Sequence, residues 1–113
     1  MNIDLLRMSI LTSLAAGPQH GYGVLQDVES LTGGRVTPAV GSLYRVLETL
    51  ARDGYLVEAK TEVIDGRFRR YYQLTDLGRS ELAEAADTMT NVVKVARRRT
   101  AADRALRPAR GAS

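Results

Sequence analysis

The sequence predicts a mainly α chain of the α+β class, with three short helices, a two-stranded hairpin and one long closing helix. Two patterns lead there. Apolar residues recur at helical spacing through Asp53 and again from Leu82 onward. Between those stretches, LVEAKTEVI and RFRRYYQL flank Asp65-Gly66, the dipeptide best suited to a two-residue type I′ turn. A length of 113 residues, 44% hydrophobic and 26% charged, supports one compact domain with a real core.

Residues 3–15 carry Ile3, Leu6, Ile10, Leu11 and Leu14 at helical spacing, with Leu5 and Met8 widening the stripe. The stretch GPQHG then stops the first helix, because Pro18 disfavours helical geometry at Gly17. A second helix is expected over about 22–32, with Tyr22, Leu25, Val28 and Leu31 inward, and Gly33-Gly34 ends it. Thr37-Pro38 reads as an N-cap followed by proline at the first helical position. The third helix then runs to about Asp53, burying Val40, Leu43, Leu47 and Leu50, with Gly54 as its C′ residue.

In the hairpin, pairing Ile64 with Arg67 sets Val57 opposite Leu74, Ala59 opposite Tyr72, Thr61 opposite Arg70 and Val63 opposite Phe68 on a mostly apolar, half-buried face. The other face pairs Glu58 with Gln73, Lys60 with Tyr71 and Glu62 with Arg69. Thr75 caps the last helix, whose first turn Gly78 weakens. Its seam is Leu82, Ala85, Ala86, Met89, Val92, Val93 and Ala96, reaching about Arg99. Roughly 36 Å of helix is too long for one small domain to cover, so the seam calls for a second chain.

Charge is unevenly distributed. The net charge of +3 combines an acidic body with a strongly basic end, since seven basic residues and one acid follow from Lys94 onward. The high isoelectric point therefore says little about the body, and binding must be argued from local patches. Zero cysteines exclude a disulfide scaffold, a thiolate nucleophile and cysteine-based metal sites, and one histidine leaves a multi-histidine centre without ligands. No 18-residue apolar run exists, so a cytoplasmic chain with no membrane partner is expected. His20 has no arranged serine, cysteine or acid beside it and reads as a capping or packing residue. No catalytic residue, metal site or cofactor is assigned.

This order of elements is that of a winged helix-turn-helix with an added dimerisation helix. The residues carry a more specific likeness. They are His20-Gly21-Tyr22, then Pro38 with Gly41-Ser42-Leu43-Tyr44, then Leu47, Leu50 and Gly54, and finally Gly66-Arg67, Arg70-Tyr71-Tyr72, Leu74-Thr75 and Gly78. Over about residues 5–85 the chain resembles the PadR family of bacterial transcriptional regulators, in its compact subgroup with one C-terminal dimerising helix. Two positions depart from that pattern. Phe68 stands where many members carry a small residue or proline, and Met89 where some carry a ligand-stacking aromatic.

Residues 1–75 are thus expected to form the winged helix-turn-helix, 76–99 the dimerisation helix, and 100–113 a basic, disordered tail. A helix fits the major groove with its N-terminal residues nearest the base edges. That makes Thr37, Ala39, Gly41, Ser42, Tyr44 and Arg45 candidate DNA-binding residues, joined by Arg67, Arg69 and Arg70 of the wing. The plainer readings are a solvated helix face and a charged strand edge that blocks aggregation, and Arg69 has Glu62 opposite it as an ion-pair partner. Leu5, Leu6, Met8, Leu82, Ala86, Met89, Val92, Val93 and Ala96 are the candidate homodimer interface. Met8, Met89 and Val93 are the candidate lining for a small hydrophobic or aromatic effector, although packing is their simpler role. The resemblance implies a repressor that binds a palindromic promoter operator in double-stranded DNA. The alternative is a winged-helix protein-interaction module without specific DNA binding.

Overall fold

The computed structural model describes residues 3–106, with side chains described through residue 101. The chain divides into two compact units between Ala83 and Glu84. The first holds α1 (Leu5–Ala15), β1 (Gln19–His20), α2 (Gly21–Leu31), α3 (Val40–Arg52), β2 (Leu56–Ile64), β3 (Arg67–Leu74) and the start of α4 (Asp76–Leu106). The rest of α4 makes up the described part of the second.

In the first unit, Ile10, Leu11 and Leu14 of α1 meet Val24, Leu25 and Val28 of α2, Leu43, Leu47 and Leu50 of α3, and Leu56, Tyr72 and Leu74 of the sheet. Asp4 caps α1, its carboxylate accepting the Arg7 backbone N–H at 2.8 Å. Thr75 does two jobs with one hydroxyl. It donates to the Gly54 carbonyl at 2.6 Å and accepts the Gly78 N–H at 3.0 Å, capping α4 while tying it to the loop before β2. Gly78, read from sequence as a weak point of α4, is there for close approach, because a Cβ would run into the Tyr55 carbonyl.

The sheet has three strands in the order β1-β3-β2, not two. Gln19 and His20 pair with Tyr72 and Tyr71, and two residues are too few to show a period in the sequence. The turn is as expected, with Asp65 and Gly66 at φ of 52° and 76°. From there the expected register holds through Lys60 opposite Tyr71. At Ala59 the ladder slips by one, so Glu58 faces Tyr72, Val57 faces Gln73 and Leu56 faces Leu74, contrary to the regular register. The bulge sets the larger Leu56, rather than Val57, in the core beside Leu74. Beyond it the hairpin is not half-buried. Val63 and Phe68 stand exposed, so the wing tip is free of the core.

Other boundaries and faces also moved. Tyr22 and Leu31, expected inward, are exposed. The buried arc of α2 runs through Gly21, Val24, Leu25 and Val28, which places Tyr22 roughly 110° from its centre. Helix α3 starts at Val40 with Ala39 as an extended N-cap that makes no side-chain cap bond, so Thr37 is not the cap. The fixed φ of Pro38 suits this extended approach as well as it suits a helix. Val40 opens the first turn and is exposed, leaving Leu43, Leu47 and Leu50 as the buried stripe.

In the second unit α4 continues past Arg99 to Leu106, through a segment rich in alanine, and the Thr100 hydroxyl donates back to the Ala96 carbonyl at 2.9 Å. The helical state of residues 100–106 differs from the disorder expected there, and residues 107–113 lie outside the described residues.

Candidate nucleic-acid interface

Two elements of the first unit come together around one side chain. Tyr44, half-buried on the first turns of α3, lines a cleft of about 450 Å³ with His20, Tyr22, Arg67, Phe68 and Arg69. It also lines a second of about 470 Å³ with Thr61, Phe68 and Arg70. The start of α3 and the wing are therefore two walls of one groove. Gly21 makes this possible. A Cβ there would lie 2.5 Å from the Tyr44 ring and hydroxyl, so only glycine lets the tyrosine lie over the start of α2.

Along α3, Thr37, Ala39, Gly41 and Arg45 are exposed and Ser42 is half-buried. Nothing lies within 4 Å of where a Cβ on Gly41 would sit, so the backbone is open to a large partner at that point. Ser42 and Arg45 line a shallower cleft of about 310 Å³ with Arg7, Val46 and Thr49. Arg7 was not anticipated there, because nothing in its own helix signals that α1 borders α3. Asp4 holds its guanidinium at 2.7 Å.

The three wing arginines are not equivalent. Arg67 is exposed and, among the described residues, makes no ion pair. Arg70 is drawn to Glu58, Nε to Oε1 at 3.3 Å, and a hydrogen bond with Tyr72, helped by that carboxylate, raises its pKa. Arg69 faces Glu62 in the ladder as expected, but the two do not pair, since Glu62 is taken by Lys60 at 2.7 Å. That bond lowers the Glu62 pKa and raises that of Lys60. Arg69 instead reaches His20 Nδ1 at 3.4 Å and lies over the Tyr22 ring, 5.8 Å from its centroid.

His20 is the residue that sequence reasoning undervalued. Its Nδ1 accepts the Gly23 N–H at 3.0 Å, capping α2, and its ring meets Tyr71 edge-on at 5.4 Å. Burial and the neighbouring Arg69 hold its pKa below the ordinary imidazole value, against the opposing pull of Glu62. The cap was legible from its place before a helix. Its contact with a residue 49 positions away was not.

The apolar candidates divide between the units. In the first, Leu5 is exposed, Leu6 and Met8 are half-buried, and Leu82 packs against the core. In the second, Ala86 and Met89 are half-buried, while Val92, Val93 and Ala96 are exposed. Among the described residues no helix is long and apolar enough to cross a membrane, and no group of three or more His, Cys, Asp or Glu residues is placed to hold a metal ion.

Comparison with known proteins gives a consistent result. The profile of the transcriptional regulator PadR-like family matches residues 10–84. Transcriptional regulator Rv3488 of Mycobacterium tuberculosis is 42% identical over 79 residues, spanning 70% of each chain. A PadR-like transcription factor of Bacteroides fragilis superposes with a TM-score of 0.68 at 26% identity, over 83% of this chain and 88% of that one. Bacillus subtilis PadR, solved in complex with operator DNA, gives a TM-score of 0.65 at 24% identity over 74% of this chain and 47% of that one.

Proposed function

Because the chain belongs to the PadR-like family of transcriptional regulators, which are not enzymes, we propose that it binds a promoter operator as a homodimer and represses transcription from it. The observation that carries this reading is the groove between Tyr44 of α3 and the wing, edged by Arg67, which makes no ion pair among the described residues, together with the uncovered backbone of α3 at Gly41. In this reading the first turns of α3 enter a major groove. Thr37, Ala39, Ser42 and Arg45 face base edges and phosphates there, while Arg67, Arg69 and Arg70 neutralise phosphates from the wing. The complex of Bacillus subtilis PadR with operator DNA supports a duplex as the partner.

A palindromic operator follows if two chains associate through the α4 seam, because a two-fold axis then presents two recognition helices about 34–36 Å apart. Exposed Val92 and Val93 support that seam. A small hydrophobic or aromatic effector that altered the spacing of the two helices would release the duplex. Met89→Asp would place an unpaired charge in the seam and split the dimer, which sedimentation velocity reads directly.

The test is fluorescence anisotropy with the duplex from immediately upstream of its own coding sequence, against a scrambled duplex, at two salt concentrations. Selective binding at the higher salt is expected. Equal and steeply salt-sensitive binding to both duplexes would reduce the interaction to general phosphate attraction. No binding at either salt would sink the DNA reading in favour of a protein-interaction module.

A further inference from the structure

The wing tip carries a side chain that neither the fold nor the phosphate contacts use. Phe68 is 83% exposed, and its ladder partner Val63 is 63% exposed. Together they set an apolar pair near the end of the hairpin, with Arg67 and Arg69 flanking Phe68 in the chain. Leaving a phenylalanine in water forgoes the favourable free energy of burying its ring. Phosphate neutralisation alone gives no reason for it.

Its position suggests what covers it. Phe68 and Tyr44 are the two residues shared by both clefts of the groove, so Phe68 forms the ridge that divides the wing side of the groove, facing the start of α3. If α3 lies in a major groove and the wing meets the adjacent minor groove, one sugar–phosphate strand separates them and must run through this groove. Such a strand offers charged oxygens and apolar deoxyribose faces. The groove matches both, with Arg67 and Arg70 beside a wall of Phe68, Tyr44 and Tyr22.

We propose that Phe68 is a DNA-contacting residue that packs on the deoxyribose of the strand crossing between α3 and the wing, contributing a share of affinity that salt does not screen. This rests on the DNA-binding reading above. It assigns a different physical role to the wing tip from that of Arg67, because apolar packing releases no counterions while a phosphate contact does.

The experiment titrates the wild-type protein, Phe68→Ala, Phe68→Leu, Phe68→Lys and Arg67→Ala with the upstream duplex over a series of salt concentrations. Phe68→Ala is expected to weaken binding about tenfold with an unchanged slope of log affinity against log salt, and Phe68→Leu to recover most of the loss. Arg67→Ala should instead flatten the slope by about one. Circular dichroism melts of the Phe68 variants should match the wild type, since the side chain is outside the core. Unchanged affinity in Phe68→Ala overturns the proposal. So does tighter binding by Phe68→Lys, which would mean the position merely lies near phosphates. Dissociation of the dimer by Phe68→Ala would overturn it as well, because the ring would then be covered by a second copy. A wild-type protein that binds no duplex would overturn the DNA-binding reading itself, and this proposal with it.

Discussion

The base and the tip of the hairpin are built from the same two strands, yet they answer to different partners. At the base, Leu56, Tyr72 and Leu74 are buried with the helices, and β1 adds a third strand beside Tyr71 and Tyr72. At the tip, Val63, Phe68 and Arg67 are exposed and outside the core. The slip at Ala59 lies between the two regimes. On one side of it the side chains are packed in the core, and on the other they are exposed, where the proposed DNA contacts lie. If the proposed DNA contacts are right, stability and binding can be altered separately within a single pair of strands.

The sharpest way to test that division is at its base. Leu56→Ala should cost about 2–5 kcal/mol of folding stability, read as a lower midpoint in urea denaturation, because it leaves a cavity beside Leu74. A loss under about 1 kcal/mol would mean the base is no better packed than the tip. Gly21→Ala comes next. The added methyl must push Tyr44 from its seat, costing about 1–3 kcal/mol by overpacking and weakening operator binding at the same time. If it lowers stability alone, Tyr44 is a packing residue and the groove loses one wall.

At the tip the expectation reverses. Arg67→Ala should leave folding stability unchanged, within about 0.5 kcal/mol, while binding to every duplex weakens to a similar degree. A destabilised Arg67→Ala protein would erase the distinction between the two ends. The smallest effect lies between them, at His20. Its folded-state pKa is lowered, so the unfolded chain binds the proton more readily, and stability should be full above about pH 6.5 and decline as pH falls below that value. Urea midpoints at pH 7.5 and 5.5 should differ more for the wild type than for His20→Asn, which keeps a cap acceptor but has no ring to protonate. An equal difference in both proteins would show that other groups carry the decline.

Much of this division was legible in advance, and the residues show where legibility stopped. The stripe of Leu43, Leu47 and Leu50, the Asp65-Gly66 turn and the register from Ile64 to Lys60 all follow from local periods and turn chemistry. The slip at Ala59 does not, because either register buries an apolar residue opposite Leu74 and only the competition for core volume decides between Leu56 and Val57. The first turn of α3 was misplaced for a related reason, since proline accepts both extended and helical continuations. In the candidate interface, α3 and the wing arginines could be named from the sequence. Their inequality could not, because it depends on Lys60 capturing Glu62 and His20 capturing Arg69. The His20 contact joins residues 49 positions apart, and the Lys60–Glu62 pair, two residues along one strand, wins over the cross-strand partner that the register offers.

The two-residue strand β1 carries a kinetic consequence. The turn joining β2 and β3 closes locally, as do the turns of each helix, and such contacts form early. The pairing of Gln19 with Tyr72 and of His20 with Tyr71 instead closes a long loop with only two residue pairs to reward it. It is a step expected late in folding, and among the first to open when the native protein fluctuates. The pitch of the wing over the groove therefore depends on a latch that local fluctuations can undo without unfolding the core.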